Sequence, residues 1–390
     1  MKLNYNHTVY ACYLGYITQA IINNFAPLLF LTFQDSFSIP LEKITLLITL
    51  NFVTQLFVDF LSAKLVDKIG YRTCIVFAHV CDTLGLIGMA VLPHLMDPFT
   101  GLVIAIIFSA MGGGIIEVLI SPIVEACPSD NKASAMSLLH SFYCWGSVAV
   151  ILLSTLFFGI FGKENWPILC AIWALVPAFN TFYFTLVPIT SLTEDNEPMS
   201  IRELFSTKIF WIFAVLMLCA GASELAMTQW ASAFTESALG VSKAVGDLAG
   251  PCFFAVLMGS CRVLYAKFGE KLDLIKAVIL SCCLCVFAYL VIVFSPWPIL
   301  SLIGCGICGF SVGVLWPGVF SIAAEKCPKG ATTMFAFLAL AGDLGCSSGP
   351  TLVGFVAGAF NDNLKAGLLA AIIFPILMII FARILKKTTN

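Results

Sequence analysis

Charged residues are scarce in this sequence. Asp, Glu, Lys and Arg make up 11% of its 390 residues, while hydrophobic residues make up 60%. Because a soluble domain usually has about 25% charged residues, this composition excludes an ordinary soluble protein. The formal net charge is −2 and no basic helix stands out, so nothing in the sequence indicates a nucleic-acid partner.

Catalytic motifs are missing as well. The sequence has no HExxH zinc motif, no Gly-x-Ser-x-Gly turn and no Gly-x-Gly-Asp motif paired with an intramembrane Tyr-Asp. We therefore expect a protein that is not an enzyme and that uses no cofactor or metal. Most of the 16 cysteines lie inside apolar runs, as in the segment Cys282-Cys283-Leu284-Cys285, which favours packing over a thiolate metal site.

Long apolar runs are abundant. Twelve of them reach the roughly 17–25 residues that a helix needs to cross a bilayer. We therefore expect an all-α integral membrane protein with 12 transmembrane helices. The expected spans are 8–32, 43–66, 72–93, 98–126, 133–161, 167–189, 209–235, 246–267, 273–295, 297–325, 331–359 and 364–385.

Basic residues are unevenly distributed among the short connections between these spans. If the N-terminus is inside, all but four of the 20 Lys and Arg residues fall on the inner side. Cytoplasmic loops carry such an excess, so the pattern predicts a multi-pass protein of the cell membrane with both termini in the cytoplasm. The four outer residues are Lys43, Lys163, Lys243 and Lys365.

An internal repeat divides the sequence into two halves. Glu125, Cys127 and Pro128 return as Glu325, Cys327 and Pro328 at an offset of 200 residues. We therefore expect an N-terminal six-helix half at 1–190, a cytoplasmic linker at 191–208 and a C-terminal six-helix half at 209–390. In the linker, Ser200 and Glu203 have the spacing of a helix capping box.

The loop between the second and third spans has a recognisable pattern. Residues 63–72 read Ala-Lys-Leu-Val-Asp-Lys-Ile-Gly-Tyr-Arg, close to the form G-x-x-x-D-(R/K)-x-G-(R/K)-(R/K) of the major facilitator superfamily. With the parallel six-span halves, this loop resembles that superfamily, in which two halves rock about a site near the midplane. The resemblance implies a gating role for Asp67, Lys68, Gly70 and Arg72, although Ala63 and Tyr71 depart from the pattern. A loop that only sets topology is the alternative.

Glu117 is a carboxyl group inside the fourth span, where a charge costs about 2.5 kcal/mol or more. His140 enters the fifth span at a similar depth, so the two groups could share a proton, or form a static hydrogen bond between helices. The segments 113–122 and 140–147 resemble the fucose permease branch of the superfamily, the sugar:proton symporters. That resemblance implies proton coupling at Glu117 and substrate contact at His140. Tyr143 lies on roughly the same helix face as His140 and is also expected to contact the substrate.

The first span departs from the fucose permease branch. The branch often has an Asp there, whereas this chain has Asn23 and no acid, so a scheme with two acids in this half lacks one of them. Gln19 and Asn23 are one helical turn apart and form a polar stripe with Tyr16. The stripe can bind solute hydroxyls or join neighbouring helices.

The C-terminal half supplies further polar groups within its spans. Glu224 and Asp343 are two more carboxyl groups that we expect to take part in proton coupling. Alternatively, Glu224 could form a hydrogen bond with the substrate directly. Trp316 precedes Pro317, which interrupts the tenth span and releases a backbone carbonyl group for a neighbour or ligand. Together with the groups above, the expected substrate-binding residues are Gln19, Asn23, His140, Tyr143, Gln229, Trp230 and Trp316.

We expect no buried Arg or Lys at mid-depth, because Arg262, like Asp59, Asp82 and Asp247, is expected near the end of a span. Arg262 could pair there with a carboxylate in a loop of the C-terminal half. A lining without a cation favours a neutral, hydroxyl-rich solute over an anion. The predicted function is import of a sugar or sugar-like solute with protons, by a monomer in the lipid bilayer. The alternative is a proton-driven exporter of lipophilic or cationic compounds, since acids and aromatic rings also suit cations.

Overall fold

The computed structural model describes residues 3–39, 41–192, 199–239, 248–269, 272–361 and 363–389. All regular structure in these ranges is helical, without a β-strand. A π-helical turn at Leu248–Cys252 precedes α9. The helices are α1 Tyr5–Phe37, α2 Leu41–Ile69, α3 Tyr71–Leu95, α4 Pro98–Ala126, α5 Lys132–Phe161, α6 Trp166–Leu186, α7 Ile201–Ser206, α8 Lys208–Leu239, α9 Phe253–Phe268, α10 Leu274–Phe294, α11 Pro298–Val312, α12 Leu315–Lys326, α13 Ala331–Ala359, α14 Leu364–Ala371 and α15 Ile373–Thr389.

The helices account for the apolar runs. Ten helical segments of the described chain are long and apolar enough to cross a membrane. Helices α1 and α2, with 33 and 29 residues, coincide with the first two predicted spans. The tenth span consists of α11 and α12, and the twelfth of α14 and α15. The all-α fold class is thereby confirmed.

Local sequence explains where several helices begin. Asp97 caps α4 by accepting a hydrogen bond of 2.9 Å from the Thr100 amide, and Pro98 follows at a position where its missing N–H costs nothing. Between α2 and α3 there is a single residue, Gly70, whose φ of 95° suits only glycine. This residue makes the tight connection in the predicted gating loop possible.

The chain packs as two compact units. The first comprises Met1–Pro128 and Trp145–Glu197, and the second Ser129–Cys144 and Pro198–Asn390. These boundaries differ from the predicted halves, because residues 129–144 pack with the second unit. Helix α5 is therefore divided between the units, whereas the two six-helix halves stay a prediction.

The predicted linker is described only in part, since its residues 193–198 lie outside the described ranges. Its short helix α7 has the expected capping box: Ser200 Oγ accepts from the Glu203 amide, and the Glu203 carboxylate accepts from the Ser200 amide at 2.8 Å. The hydrogen bonds from Ser200 lower the pKa of Glu203. The charged form therefore stabilises the cap at neutral pH, and this contribution is lost as the pH falls through the lowered pKa.

Two acidic residues lie deeper than expected. Asp59 and Asp82 are 1% and 0% exposed, so the prediction that they reach the membrane surface is wrong. Asp82 lies near the middle of α3, facing Gly112 of α4, and its position in the run was a signal for burial. Neither carboxyl oxygen of Asp82 has a hydrogen-bond partner among the described residues. Asp247 lies outside those residues.

The contact between α3 and α4 requires Gly112. A Cβ atom there would lie 2.5 Å from the Ala78 carbonyl oxygen and collide with the Asp82 carboxyl group. We expect Gly112→Ala to lower the free energy of unfolding by about 1–3 kcal/mol, as overpacking does elsewhere. The melting temperature of the purified protein, followed with a thiol-reactive dye that detects its buried cysteines, measures the effect.

Gly159→Ala is the matched control for this substitution. Gly159 is also in a helix, but nothing lies within 4 Å of a Cβ atom there. An equal loss of stability in both variants would show that helical glycine, rather than the contact at Gly112, is responsible.

Candidate functional site

Helix α1 brings three polar side chains of the first unit to its neighbours α4 and α2. Gln19 donates a hydrogen bond of 2.6 Å from Nε2 to Glu117 Oε2, and one turn away the hydroxyl groups of Tyr16 and Ser121 are 2.9 Å apart. Asn23 follows one turn after Gln19 and accepts a bond of 3.3 Å from Gln55 Nε2. We call these side chains the polar row: Tyr16, Gln19, Asn23, Gln55, Glu117 and Ser121.

The three glycines before Glu117 let polar groups approach α4. A Cβ atom at Gly113 would lie 3.4 Å from Gln55 Nε2, and one at Gly114 would lie 3.5 Å from Asp59 Oδ1. Sequence reasoning missed Gln55, although a lone amide in an apolar helix is a signal for an internal partner. The glycines therefore admit side chains of α2 beside the polar row.

The amide of Gln19 suits both protonation states of Glu117. Its Nε2 atom faces the carboxyl group, while its buried Oε1 atom has no hydrogen-bond partner among the described residues. A carboxylate accepts from the amide nitrogen, and a protonated carboxyl group can donate to the amide oxygen after the amide rotates. The same oxygen can accept from a hydroxyl group of a solute.

Residues His140 and Tyr143 lie in the second unit, and Glu117 lies in the first. The predicted proton sharing between Glu117 and His140 therefore stays a prediction. The His140 side chain is buried, and its ring centroid is 5.9 Å from that of Phe320. Tyr143 is half-buried.

Arg262 is the largest departure from the expected site. It is only 2% exposed, so the expectation that its side chain reaches the membrane surface is wrong, and the second unit contains a buried cation. Its Nη2 atom is 3.5 Å from Glu224 Oε2. Arg262 lies in the last two turns of α9. A side chain at that position in a span can either reach the membrane surface or lie between helices. Its position in the sequence therefore did not reveal Glu224 as its partner.

The proline in the tenth span explains part of this arrangement. Pro317 has no N–H to give to the carbonyl group of Gly313, four residues earlier. That carbonyl oxygen instead accepts a hydrogen bond of 2.9 Å from Arg262 Nε. The sequence analysis expected a neighbour or ligand to bind this carbonyl group, and the structure identifies that neighbour as Arg262.

The remaining predicted residues of the second unit occupy varied environments. The Trp230 indole donates a bond of 3.1 Å to the Pro350 carbonyl oxygen, while Gln229 is exposed. Trp316 packs on Gly342, where a Cβ atom would collide with its ring. Asp343, the next residue after Gly342, is half-buried.

The predicted gating loop is organised by Arg72. Its guanidinium group donates to the carbonyl oxygens of Phe184, Thr185 and Val187 at 2.7, 3.0 and 2.8 Å. These carbonyl groups lie at the end of α6, where helical partners run out. The side chains of Asp67 and Lys68 are exposed.

These features define an α-helical membrane protein with several spans and with carboxyl, amide and guanidinium groups buried between its helices. The chain belongs to the Major Facilitator Superfamily, whose family profile matches residues 12–350. It is therefore a multi-pass membrane transporter of that superfamily.

Known proteins give two kinds of likeness. The chain is 23% identical over 335 residues to a "Multi-drug resistance efflux pump PmrA homolog" of Lactococcus lactis subsp. lactis (strain IL1403), covering 82% of this chain and 79% of the relative. The structure of the transporter FucP in the outward conformation superposes with a TM-score of 0.82 at 16% identity, covering 97% of this chain and 98% of FucP. The proton:xylose symporter XylE has a TM-score of 0.84 at 12% identity, with 96% and 94% covered.

Arg72 provides a test of the gating loop. We expect Arg72→Ala to lower the free energy of unfolding by about 1–3 kcal/mol, because three carbonyl groups at the end of α6 lose charged donors. Lys68→Ala is the control, since Lys68 lies in the same loop pattern and its side chain is exposed. Thermal unfolding of both purified variants measures the difference, and equal stability would contradict a structural role for Arg72.

Proposed function

We propose that this transporter imports a sugar or sugar-like neutral solute together with protons, by alternating access between two halves. Its chemistry is proton binding, solute binding and conformational change, without a covalent reaction. The proton enters from outside on a carboxyl group, the solute binds next to it, and both leave on the inside.

The hydrogen bond between Gln19 and Glu117 carries this proposal. At 2.6 Å it joins a carboxyl group to an amide inside the apolar helices of the first unit. Amide and hydroxyl groups of the polar row surround it, and such groups bind the hydroxyl groups of sugars. Because a carboxyl group in a membrane span is costly, a proton-binding role accounts for its presence.

The buried Arg262 does not turn the proposal towards an anionic solute. Its charge is balanced by Glu224, and its Nε and Nη1 atoms donate to backbone oxygens. A guanidinium group used in this way offers little to a carboxylate or phosphate ester. The pair as a whole has no net charge, which suits a neutral solute.

The proposed roles follow the sequence-based assignment. Glu117, Glu224 and Asp343 are the carboxyl groups for proton coupling, and Asp67, Lys68, Gly70 and Arg72 form the gating loop. The proposed solute-binding residues are Gln19, Asn23, His140, Tyr143, Gln229, Trp230 and Trp316.

The proposed setting is the cell membrane, with both termini in the cytoplasm and the protein acting as a monomer. The proposed halves are residues 1–190 and 209–390, joined by the linker 191–208. The uneven distribution of Lys and Arg among the short connections supports this orientation.

A second candidate is export of lipophilic or cationic compounds in exchange for protons. The likeness to the efflux pump homolog over 335 residues favours it. The same carboxyl groups and aromatic rings would then bind a cation. Import and export differ in the solute and in the direction of proton movement.

Reconstituted vesicles distinguish these candidates. A panel of monosaccharides is added while the external pH is recorded, for the wild type, Glu117→Gln and the control Glu164→Gln in the exposed 3₁₀ turn Lys163–Asn165. We expect one sugar to make the medium alkaline with the wild type and the control. The Glu117→Gln variant is expected to exchange that sugar without moving protons, because the amide group of glutamine cannot take up a proton as a carboxylate does.

Other outcomes assign different functions. Proton release driven by lipophilic cations, with no response to sugars, would identify an exporter. Sugar exchange without protons in the wild type would make Glu117 a ligand for hydroxyl groups and refute proton coupling there.

Gln19 tests the solute site separately from coupling. We expect Gln19→Leu to raise the KM for the sugar roughly tenfold, the effect of losing about 1.4 kcal/mol of hydrogen bonding. The number of protons per sugar is expected to stay the same, as measured by parallel pH and radiolabel uptake. An unchanged KM would exclude Gln19 as a solute ligand.

A further inference from the structure

Asp82 is a buried acid that receives no hydrogen bond from the described part of the chain. It lies near the middle of α3 with 0% exposure, and both of its carboxyl oxygens lack a partner there. On the side of α4, Asp82 Oδ1 and the Ala78 carbonyl oxygen would both be within 2.5 Å of a Cβ atom at Gly112. Carboxylate and carbonyl oxygens both accept hydrogen bonds. Two acceptors therefore face the same point, without a donor for Asp82.

The close contact between α3 and α4 excludes water and ions from this point. A Cβ atom at Gly112 would collide with the Asp82 carboxyl group, and one at Gly85 would lie 2.8 Å from the Ser109 amide nitrogen. Where a Cβ atom does not fit between the helices, a water molecule does not fit either. The Ser109 hydroxyl is also buried and without a partner among the described residues, so it does not reach Asp82. No group of three metal-ligating side chains occurs among those residues.

No basic residue of the neighbouring helices lies at the depth of Asp82. Helix α3 packs against α1, α2, α4 and α6, and α4 and α6 contain no Lys, Arg or His. Arg72 and His94, at the two ends of α3, are roughly 15 and 18 Å from Asp82 along the helix axis. Apart from His79, the basic residues of α1, α2 and α3 all lie within six residues of a helix end: His7, Lys43, Lys64, Lys68, Arg72 and His94.

The other titratable groups around α3 are neutral or acidic. The Cys81 thiol, next to Asp82 in the chain, interacts with its carboxyl group. Asp59 of α2 lies beside Gly114, and Glu117 of α4 accepts its hydrogen bond from Gln19 of α1. Helices α1 and α6 otherwise contribute tyrosines and cysteines, together with Asp35 near the end of α1. None of these groups would stabilise a carboxylate at Asp82.

His79, three residues before Asp82, is a neutral imidazole. Its Nδ1 atom is 2.8 Å from the Ile75 carbonyl oxygen, which only accepts, so Nδ1 carries a proton. Asn180 Nδ2 donates to the Ala11 carbonyl oxygen at 3.0 Å, which fixes the orientation of this amide. The same nitrogen is 2.8 Å from His79 Nε2. Because an amide nitrogen only donates, Nε2 carries no proton, and His79 brings no positive charge to Asp82.

We propose that Asp82 holds a proton permanently in the folded protein and that the contact between α3 and α4 depends on this proton. As the chain folds, the carboxylate takes one proton from water, and one O–H bond forms while no other bond forms or breaks. The neutral carboxyl group directs its O–H at the Ala78 carbonyl oxygen, which can accept a second hydrogen bond. An isolated buried charge is so costly that such a group becomes neutral instead.

The bound proton makes the packing of the first unit sensitive to alkaline pH. Ionisation would place an unpaired charge against Gly112, on the helix that also carries Glu117. Asp82 is therefore a positioning residue for α4 and not a further carboxyl group for proton coupling. This role lies beyond the proposed transport, in which Asp82 takes no part.

Infrared spectra of the purified protein at pH 7.5 test the proposal directly. Neutral carboxyl groups have a carbonyl band that is separate from the carboxylate and amide bands. We expect Asp82→Asn to lose one neutral carboxyl group relative to the wild type, with its carboxylate bands unchanged. Asp130→Asn, at an exposed position after α4, is the matched control and should lose a carboxylate instead. No solute is needed, so a failure of sugar transport leaves this result unaffected.

Melting temperatures between pH 5.5 and 8.5 give a second readout. The unfolded chain releases the Asp82 proton above about pH 4, whereas the folded protein keeps it, so the wild type loses stability relative to Asp82→Asn as the pH rises. We expect the unfolding equilibrium constant of the wild type, relative to that of the variant, to rise about tenfold per pH unit. The difference between Asp130→Asn and the wild type should stay constant.

Three results would overturn the proposal. One is the loss of a carboxylate band, rather than a neutral one, in Asp82→Asn. Another is a difference in melting temperature between this variant and the wild type that does not change with pH. The third is an Asp82→Asn protein that melts far below Asp82→Ala, because a neutral amide of the same shape should replace a neutral acid. If Asp82→Asn cannot be purified, the spectrum of Asp82→Ala decides, since it must lack the same neutral band.

Discussion

Polar atoms between membrane helices have little water to bond, so most of them need a partner from the chain. In the second unit this constraint links several residues in sequence. Pro317 leaves the Gly313 carbonyl group without its helical donor, Arg262 supplies the donor, and the charge of Arg262 in turn requires Glu224. The series ends at a carboxyl group, which a proton can neutralise. The break in the tenth span is thereby connected through Arg262 to a carboxyl group on α8.

The first unit meets the same constraint in a different way. Its carboxyl group, Glu117, is bonded to an amide, and an amide can serve as donor or acceptor. A guanidinium group can only donate, so the pair of Arg262 and Glu224 has no equivalent second state. The two carboxyl groups therefore differ in their partners, an amide for Glu117 and a guanidinium group for Glu224.

The helices could be predicted because the signal for them is local. Apolar runs, the spacing of Tyr16, Gln19 and Asn23, and the capping box at Ser200 are all contained in short stretches of sequence. The partners of Arg262 could not be predicted in this way, because its depth in α9 fits both surface and internal placement. The placement of the Arg262 side chain depends on contacts with residues that are distant in sequence, such as His140 and Gly313.

Asp82 and Gln55 show a different limit. Both lie well inside apolar runs, so their burial was open to prediction, but their neighbours depended on glycines in another helix. Nothing in the sequence distinguishes Gly112 and Gly113 from other glycines in the spans. Their importance for packing becomes visible only in the structure, where α4 lies against α3 and α2. Of the candidate site, the residues that line one helix were accessible to sequence reasoning, and the pairs between helices were not.

The division of α5 between the units has a consequence for how the protein is made. Residues 137–144 leave the ribosome long before Arg262 and Gly313, which they or Arg262 later bond. During synthesis the first part of α5 therefore enters the membrane before Arg262, its partner in the finished protein, has been made. Insertion of the early helices and completion of their packing are separate events, and the second depends on the last third of the chain.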